Sequence, residues 1–105
     1  MHLTSYLDNG ILSIVLTGEI DHHCARAHID AIGSKIEIYT PRECVLDFQQ
    51  VTFMDSSGIA IVINALRNMT KIGGTLTVAG LGVQPMRVFR ASGVDRLVEM
   101  REVLT

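Results

Sequence analysis

"FMDSSGIA", Phe53 to Ala60, decides how this chain folds. Two apolar residues run into an acid, two adjacent hydroxyls and a glycine, and an apolar pattern of helical period follows at once. Ile59, Ile63, Leu66 and Thr70, with Ala60 and Val62 beside them, trace one face of a helix starting at Ser57. Lys71 and Gly73-Gly74 supply the cation and the glycines that end helices. A helix that opens on two serines needs only one of them as a cap. The other requires a separate explanation.

Upstream, "CVLDF" (Cys44 to Phe48) is a compact strand, and "QQVTF" (Gln49 to Phe53) is expected to be a short connection out of it. Downstream, "TLTVAGL" alternates small polar and apolar residues and predicts another strand. Pro85 suits the first turn of a further helix carrying Met86, Phe89 and Arg90, closed by Ser92-Gly93. "VDRLVEM" predicts a last short strand and "REVLT" a terminal turn.

The N-terminal part opens with a short edge strand, Leu3 to Leu7. Asp8-Asn9-Gly10 is a turn, because Asn-Gly tolerates positive φ. "ILSIVLTG" is a β-branched, nearly all apolar strand, and the two strands form a hairpin. Gly18-Glu19-Ile20-Asp21 is expected to break the strand pattern. Ala25, Ile29, Ile32 and Ile36 then recur at helical spacing, with Asp21 as the N-cap, Gly33 weakening the interior and Pro41 stopping any continuation. A helical crossover between Leu16 and Cys44 favours parallel pairing. The order ββαβαβαβ is an α/β fold, an open mixed sheet with helices packed over it. Function in such folds sits in loops at the strand C-terminal ends, here Gly18 to His22 and Met54 to Gly58.

The 105 residues suit one domain spanning 1–105. A chain of this size buries roughly 65% of its unfolded surface. With 48% apolar residues and no Trp, the expected core is aliphatic and needs neither metal nor disulfide. The net charge is −2 and no basic cluster gathers, so a nucleic-acid partner is not expected. Signal-peptide features and an apolar run of spanning length are both missing, which points to the cytoplasm. Cys24 and Cys44 are far apart and form no CxxC pair, so they are expected to be reduced thiols.

Several uses of the second serine are open. Asp55 or Ser57 caps the helix, leaving Ser56 as a small turn residue. A nucleophile elbow would need GxSxG, but Met54 and Asp55 break that spacing, although His2, His22, His23 and His28 could supply a base. A bound phosphate at the helix N-terminus would want a more glycine-rich approach than Gly58 alone. Last, Ser56 accepts a phosphoryl group from a kinase.

The segments "LTGEIDHHCA" (Leu16 to Ala25) and "FMDSSGIA" closely resemble the two signature segments of bacterial anti-sigma factor antagonists of the STAS family, of the sporulation type. "IGGTLTVAGL" (Ile72 to Leu81) and "MRVFRASGVDRLV" (Met86 to Val98) resemble that family's later segments, in the same order. The resemblance implies a STAS fold and a non-enzymatic function by partner switching. Unmodified protein would bind an anti-sigma factor that is also a serine kinase and so free a sigma factor. Phosphorylation of Ser56 would abolish binding, and a serine phosphatase would reset the cycle. Ser57 would start the helix, and Asp21, His22, Asp55, Ser57 and Gly58 would form the partner surface. A scaffold or regulatory subunit of another assembly, such as a stress-signalling complex or a lipid-transport module, is the alternative.

His22 and His23 are expected to be exposed first-turn residues. Cys24 and His28, four apart, could share a metal but lack further ligands, so no metal or cofactor is expected; the reading is a small buried thiol beside an exposed imidazole. Arg87, Arg90 and Arg96 read as a solvated face. The family pattern implies a further C-terminal helix, of which "REVLT" supplies at most one turn, and a homodimer is one way to cover the apolar surface this would leave.

Overall fold

A computed structural model describes residues 2–102. The elements run β1 (His2–Asp8), β2 (Ile11–Ile20), α1 (His22–Tyr39), β3 (Glu43–Met54), α2 (Ser57–Lys71), β4 (Thr75–Ala79), α3 (Val83–Ser92), a 3-10 turn (Val94–Arg96) and β5 (Glu99–Arg101). The five strands form one sheet in the order β1-β2-β3-β4-β5. β1 is antiparallel to β2 and the remaining pairs are parallel, so the sheet is mixed, as expected. Asn9 and Gly10 both take positive φ, 51° and 78°, the backbone of a two-residue hairpin turn that Asn-Gly accommodates.

Each parallel connection steps to the next strand in the same direction. Right-handed crossovers then lay all three helices on one face of the sheet. The strand residues pointing to that face form the core: Leu12, Ile14 and Leu16 of β2, Cys44, Leu46 and Phe48 of β3, Leu76 and Val78 of β4. Ile32 and Ile36 of α1, and Ile61, Val62, Ala65 and Met69 of α2, close over them. On the reverse face Tyr6, Ser13 and Val15 are half-buried or exposed. The core is not purely aliphatic. Phe48 and Phe89 are fully buried and meet edge to face, ring centroids 5.6 Å apart, which pins α3 to β3.

Both long strands outrun their sequence patterns. Gln49 to Phe53 is not a connection: β3 continues to Met54 because β2 continues beside it, with Gly18 opposite Val51 and Ile20 opposite Met54. Gly18 to Ile20 likewise stays in β2. Gly18 takes φ 93°, and register shifts at Val15/Thr17 and Gly18/Glu19 absorb the irregularity that masks the alternation. "VDRLVEM" divides into the 3-10 turn and β5, because Gly93 at φ 81° starts a tight turn before the chain can join β4. The end of "REVLT", residues 103–105, lies outside the described residues, as does any helix expected there.

Candidate functional site

The β2–β3 ladder ends with Ile20 opposite Met54, so Asp21 and Asp55 each stand one residue beyond the same sheet edge. The Asp55 backbone N–H donates to the Ile20 carbonyl at 3.1 Å, tying the two loops together. Their convergence is therefore a consequence of strand register.

Asp21 caps α1. Its Oδ1 accepts from the backbone N–H groups of His23 (3.0 Å) and Cys24 (3.2 Å). The Cys24 thiol completes a capping box, accepting from the Asp21 N–H at 3.3 Å. His22 and His23 are exposed and their rings lie 4.0 Å apart.

At α2 the two serines divide. Asp55 Oδ1 accepts from the Ser57 backbone N–H at 2.8 Å and from the Ser57 hydroxyl. Those two bonds, the hydroxyl's first, hold the Asp55 carboxyl below the usual carboxylate range, and the imidazole and backbone N–H of His22 act in the same direction. Ser57 is the first residue of the helix. Ser56 stands at the N-cap position, yet its side chain makes no capping bond and is exposed. Gly58 is buried over Met54, whose Cγ and Sδ fill the space a Cβ would need.

Asp21, His22, Asp55, Ser56 and Ser57 thus come together as one surface at the N-terminal ends of two helices, whereas Gly58, expected on that surface, is buried beneath it because it packs on Met54. His28 is corrected: it is buried, 4% exposed, because α1 packs that face against its neighbours. Burial holds its pKa below the ordinary value, and its Nε2 has no hydrogen-bond partner among the described residues. Cys24 and Cys44 are free and buried, and no group of three metal-ligating side chains occurs among the described residues. Arg87, Arg90 and Arg96 are exposed. No helix among the described residues is long and apolar enough to cross a membrane.

One residue of the site carries no signal in the sequence. Gln84, in the first turn of α3, accepts from the Met54 N–H at 2.8 Å and donates to the Met54 carbonyl at 2.7 Å.

Fold and site together define an α/β domain that displays a hydroxyl on a firm surface. The chain belongs to the STAS domain family, whose model matches residues 3–105. It is 25% identical over 99 residues to the anti-sigma-B factor antagonist of Listeria monocytogenes, covering 91% of this chain and 83% of that protein. The structure of the anti-sigma factor antagonist SpoIIAA in its unphosphorylated form matches with TM-score 0.86 at 23% identity, over 98% of this chain and 89% of the other. The Bacillus cell fate determinant SpoIIAA in the phosphorylated form matches with TM-score 0.77 at 23% identity, over 98% and 92%. The architecture expected from the sequence, a mixed sheet under helices in the order ββαβαβαβ, is therefore the STAS fold.

Proposed function

We propose that this chain is an anti-sigma factor antagonist of the bacterial cytoplasm, controlled by phosphorylation of Ser56. The unmodified chain binds an anti-sigma factor that is also a serine kinase. Asp21, His22, Asp55 and Ser57 form the docking surface around Ser56, and buried Gly58 seats the first turn of α2 beneath it. The kinase then moves the γ-phosphoryl group of ATP to the Ser56 oxygen. A new O–P bond forms, the bond to the β-phosphate oxygen breaks, ADP leaves, and the serine proton passes to a base on the kinase or to solvent. A serine phosphatase hydrolyses the phosphoserine and restores binding. In this cycle the chain is a substrate and a ligand, not an enzyme.

One observation carries the reading: the Ser56 hydroxyl is exposed and free of the capping bonds that Asp55 and Ser57 make. The fold does not need that oxygen, so an enzyme can take it.

A phosphate there adds about −1.5 to −2 charges. The N-terminus of α2 tolerates them through its dipole, which favours an anion there, although the Ser57, Gly58 and Ile59 N–H groups already bond Asp55 and Ser56. A docked partner does not. One facing carboxylate about 8 Å away contributes roughly 1 to 4 kcal/mol of repulsion, for an effective dielectric between about 80 and 20. The upper value weakens binding about a thousandfold. Nothing in the scaffold has to move.

The test is incubation with a candidate anti-sigma kinase and ATP, then peptide mass spectrometry, with binding measured in ADP and in ATP. Ser56→Ala should bind persistently and take no phosphate, and Ser56→Asp should bind poorly. Phosphate on Ser57 in place of Ser56 would overturn the assignment.

A further inference from the structure

β3 is longer than the strand beside it. β4 pairs only with Glu43 to Asp47, whereas β3 runs on to Met54 with β2 on its other side. From Phe48 onward one edge of β3 has no strand neighbour among the described residues, and its N–H and C=O groups need partners from elsewhere. At Met54, the residue before the Asp55-Ser56 turn, the Gln84 side chain supplies both. It takes the N–H and gives a hydrogen to the carbonyl of the same residue, the pair of bonds an antiparallel strand would make there.

The geometry points to Gln84 as the positioning residue of the phosphoacceptor turn. This rests on the assignment of Ser56 above. Met54 is held from three directions. Gln84 fixes its backbone, the ladder ends with Ile20 opposite it, and its side chain fills the space beneath Gly58 in the first turn of α2. α3 is itself anchored to β3 by Phe89 against Phe48. The Gln84 amide therefore connects a fixed helix to the strand residue two positions before Ser56. Phosphoryl transfer is governed by placement of the attacking oxygen in line with the phosphorus, and small displacements lower the rate without weakening binding.

At neutral pH an amide fits this task. It carries a donor and an acceptor on one planar group, which an ionised carboxylate, a thioether and a methyl do not. Asn offers the same groups on a stem one methylene shorter.

The experiment compares Gln84→Ala, Gln84→Asn and Gln84→Glu with the wild-type chain. Amide hydrogen exchange by NMR needs no partner. Gln84→Ala should exchange about tenfold or more faster at Met54, Asp55 and Ser57, with the middle of α1 unchanged, since two side-chain bonds are lost. Gln84→Asn should not rescue.

Gln84→Glu supplies the discriminating readout. At neutral pH its carboxylate faces the Met54 carbonyl and protection falls. Below about pH 4 the neutral acid has a donor and an acceptor again, and protection returns toward wild type measured at the same pH. Asp55 and His22, the titratable neighbours, are common to both chains and cancel in that ratio.

With a kinase that phosphorylates wild-type Ser56, Gln84→Ala should lower kcat roughly tenfold and leave KM within about twofold. Unchanged exchange in Gln84→Ala, a pH-independent Gln84→Glu, or an effect confined to KM would each overturn the assignment. The last would make Gln84 a contact residue. Failure of wild-type Ser56 to take phosphate would count against the functional reading alone, because the exchange data decide the clamp without any kinase.

Discussion

Gly58→Ala should destabilise this protein, although Ala is the better helix former. A Cβ built at Gly58 falls on Met54 Cγ and Sδ, well inside van der Waals contact. Met54 is fully buried, so its side chain has nowhere to go, and Cγ is too near the backbone to swing clear. Overpacking of this kind costs about 1–3 kcal/mol. The helix-propensity gain of at most about 1 kcal/mol offsets part of it. The net expectation is a loss of about 1–2 kcal/mol, or a melting temperature lower by roughly 4–15 °C for a domain of this size. Gly33 provides the control. It lies in the interior of α1, where a Cβ would meet only the Asn68 side-chain nitrogen, at 3.3 Å. That amide is a side-chain end held by one bond to Asn64 Oδ1 at 3.2 Å and needs to shift by only a few tenths of an ångström, so Gly33→Ala should be neutral or stabilising by up to about 1 kcal/mol. Urea and thermal unfolding of the two variants therefore give opposite signs for the same chemical change. Should Gly58→Ala prove as stable as wild type, the tight seat of α2 on Met54 would be wrong, and with it the account of how Ser56 is held.

The serines should separate in the same assay. Ser56→Ala should leave stability within about 0.5 kcal/mol of wild type, whereas Asp55→Ala should cost about 1 kcal/mol, because only Asp55 bonds the helix start. His28 is buried with its pKa lowered, so the unfolded chain binds the extra proton first. Stability is then full above about pH 6.5 and falls as pH drops from there toward the folded value, and His28→Leu should flatten that acid slope in pH-dependent denaturation. Asp55 acts in a different window: its carboxyl is held low, so its contribution is present above the ordinary Asp value and lost as pH falls below about 4. Burial pushes the Cys44 thiol up to about 12, so Cys44 should resist a thiol-reactive reagent at pH 8 in the native protein and react on unfolding, as peptide mapping would show.

The features legible in the sequence are those fixed by local chemistry. Asn9-Gly10 announces its turn because few other pairs accept two positive φ values, and the Ile29, Ile32 and Ile36 spacing gives α1 because one face of that helix is buried. Asp21, Asp55 and Ser57 stand where capping chemistry places them. What stayed hidden depends on distant parts of the chain. Gln49 to Phe53 has little alternation, and only the neighbouring β2 makes it strand. His28 is polar on a helix face that α1 buries, so composition argued for solvent and packing prevailed. Three phenylalanines were too few to predict an aromatic contact, yet Phe48 and Phe89 meet across β3 and α3. Gln84 was invisible because its partner exists only where β3 outruns β4.

The same distinction separates the two serines. A residue that serves the fold has its hydrogen bonds taken by the fold, as Ser57 does through Asp55. A residue reserved for a partner must be held in place with its own atoms left free, and that task falls on its neighbours. Ser56 shows the pattern. Asp55 is tied to Ile20, Met54 to Gln84 and Gly58 to Met54, while the Ser56 oxygen makes no capping bond and faces solvent. Such a turn should change little in shape when it gains a phosphate. The proposed switch then acts through charge alone, which makes its strength sensitive to salt. Raising ionic strength from about 0.01 M to 1 M shortens the screening length from roughly 30 Å to 3 Å. The difference in partner affinity between Ser56 and Ser56→Asp should narrow over that range, and a difference independent of salt would mean that the modification acts through shape.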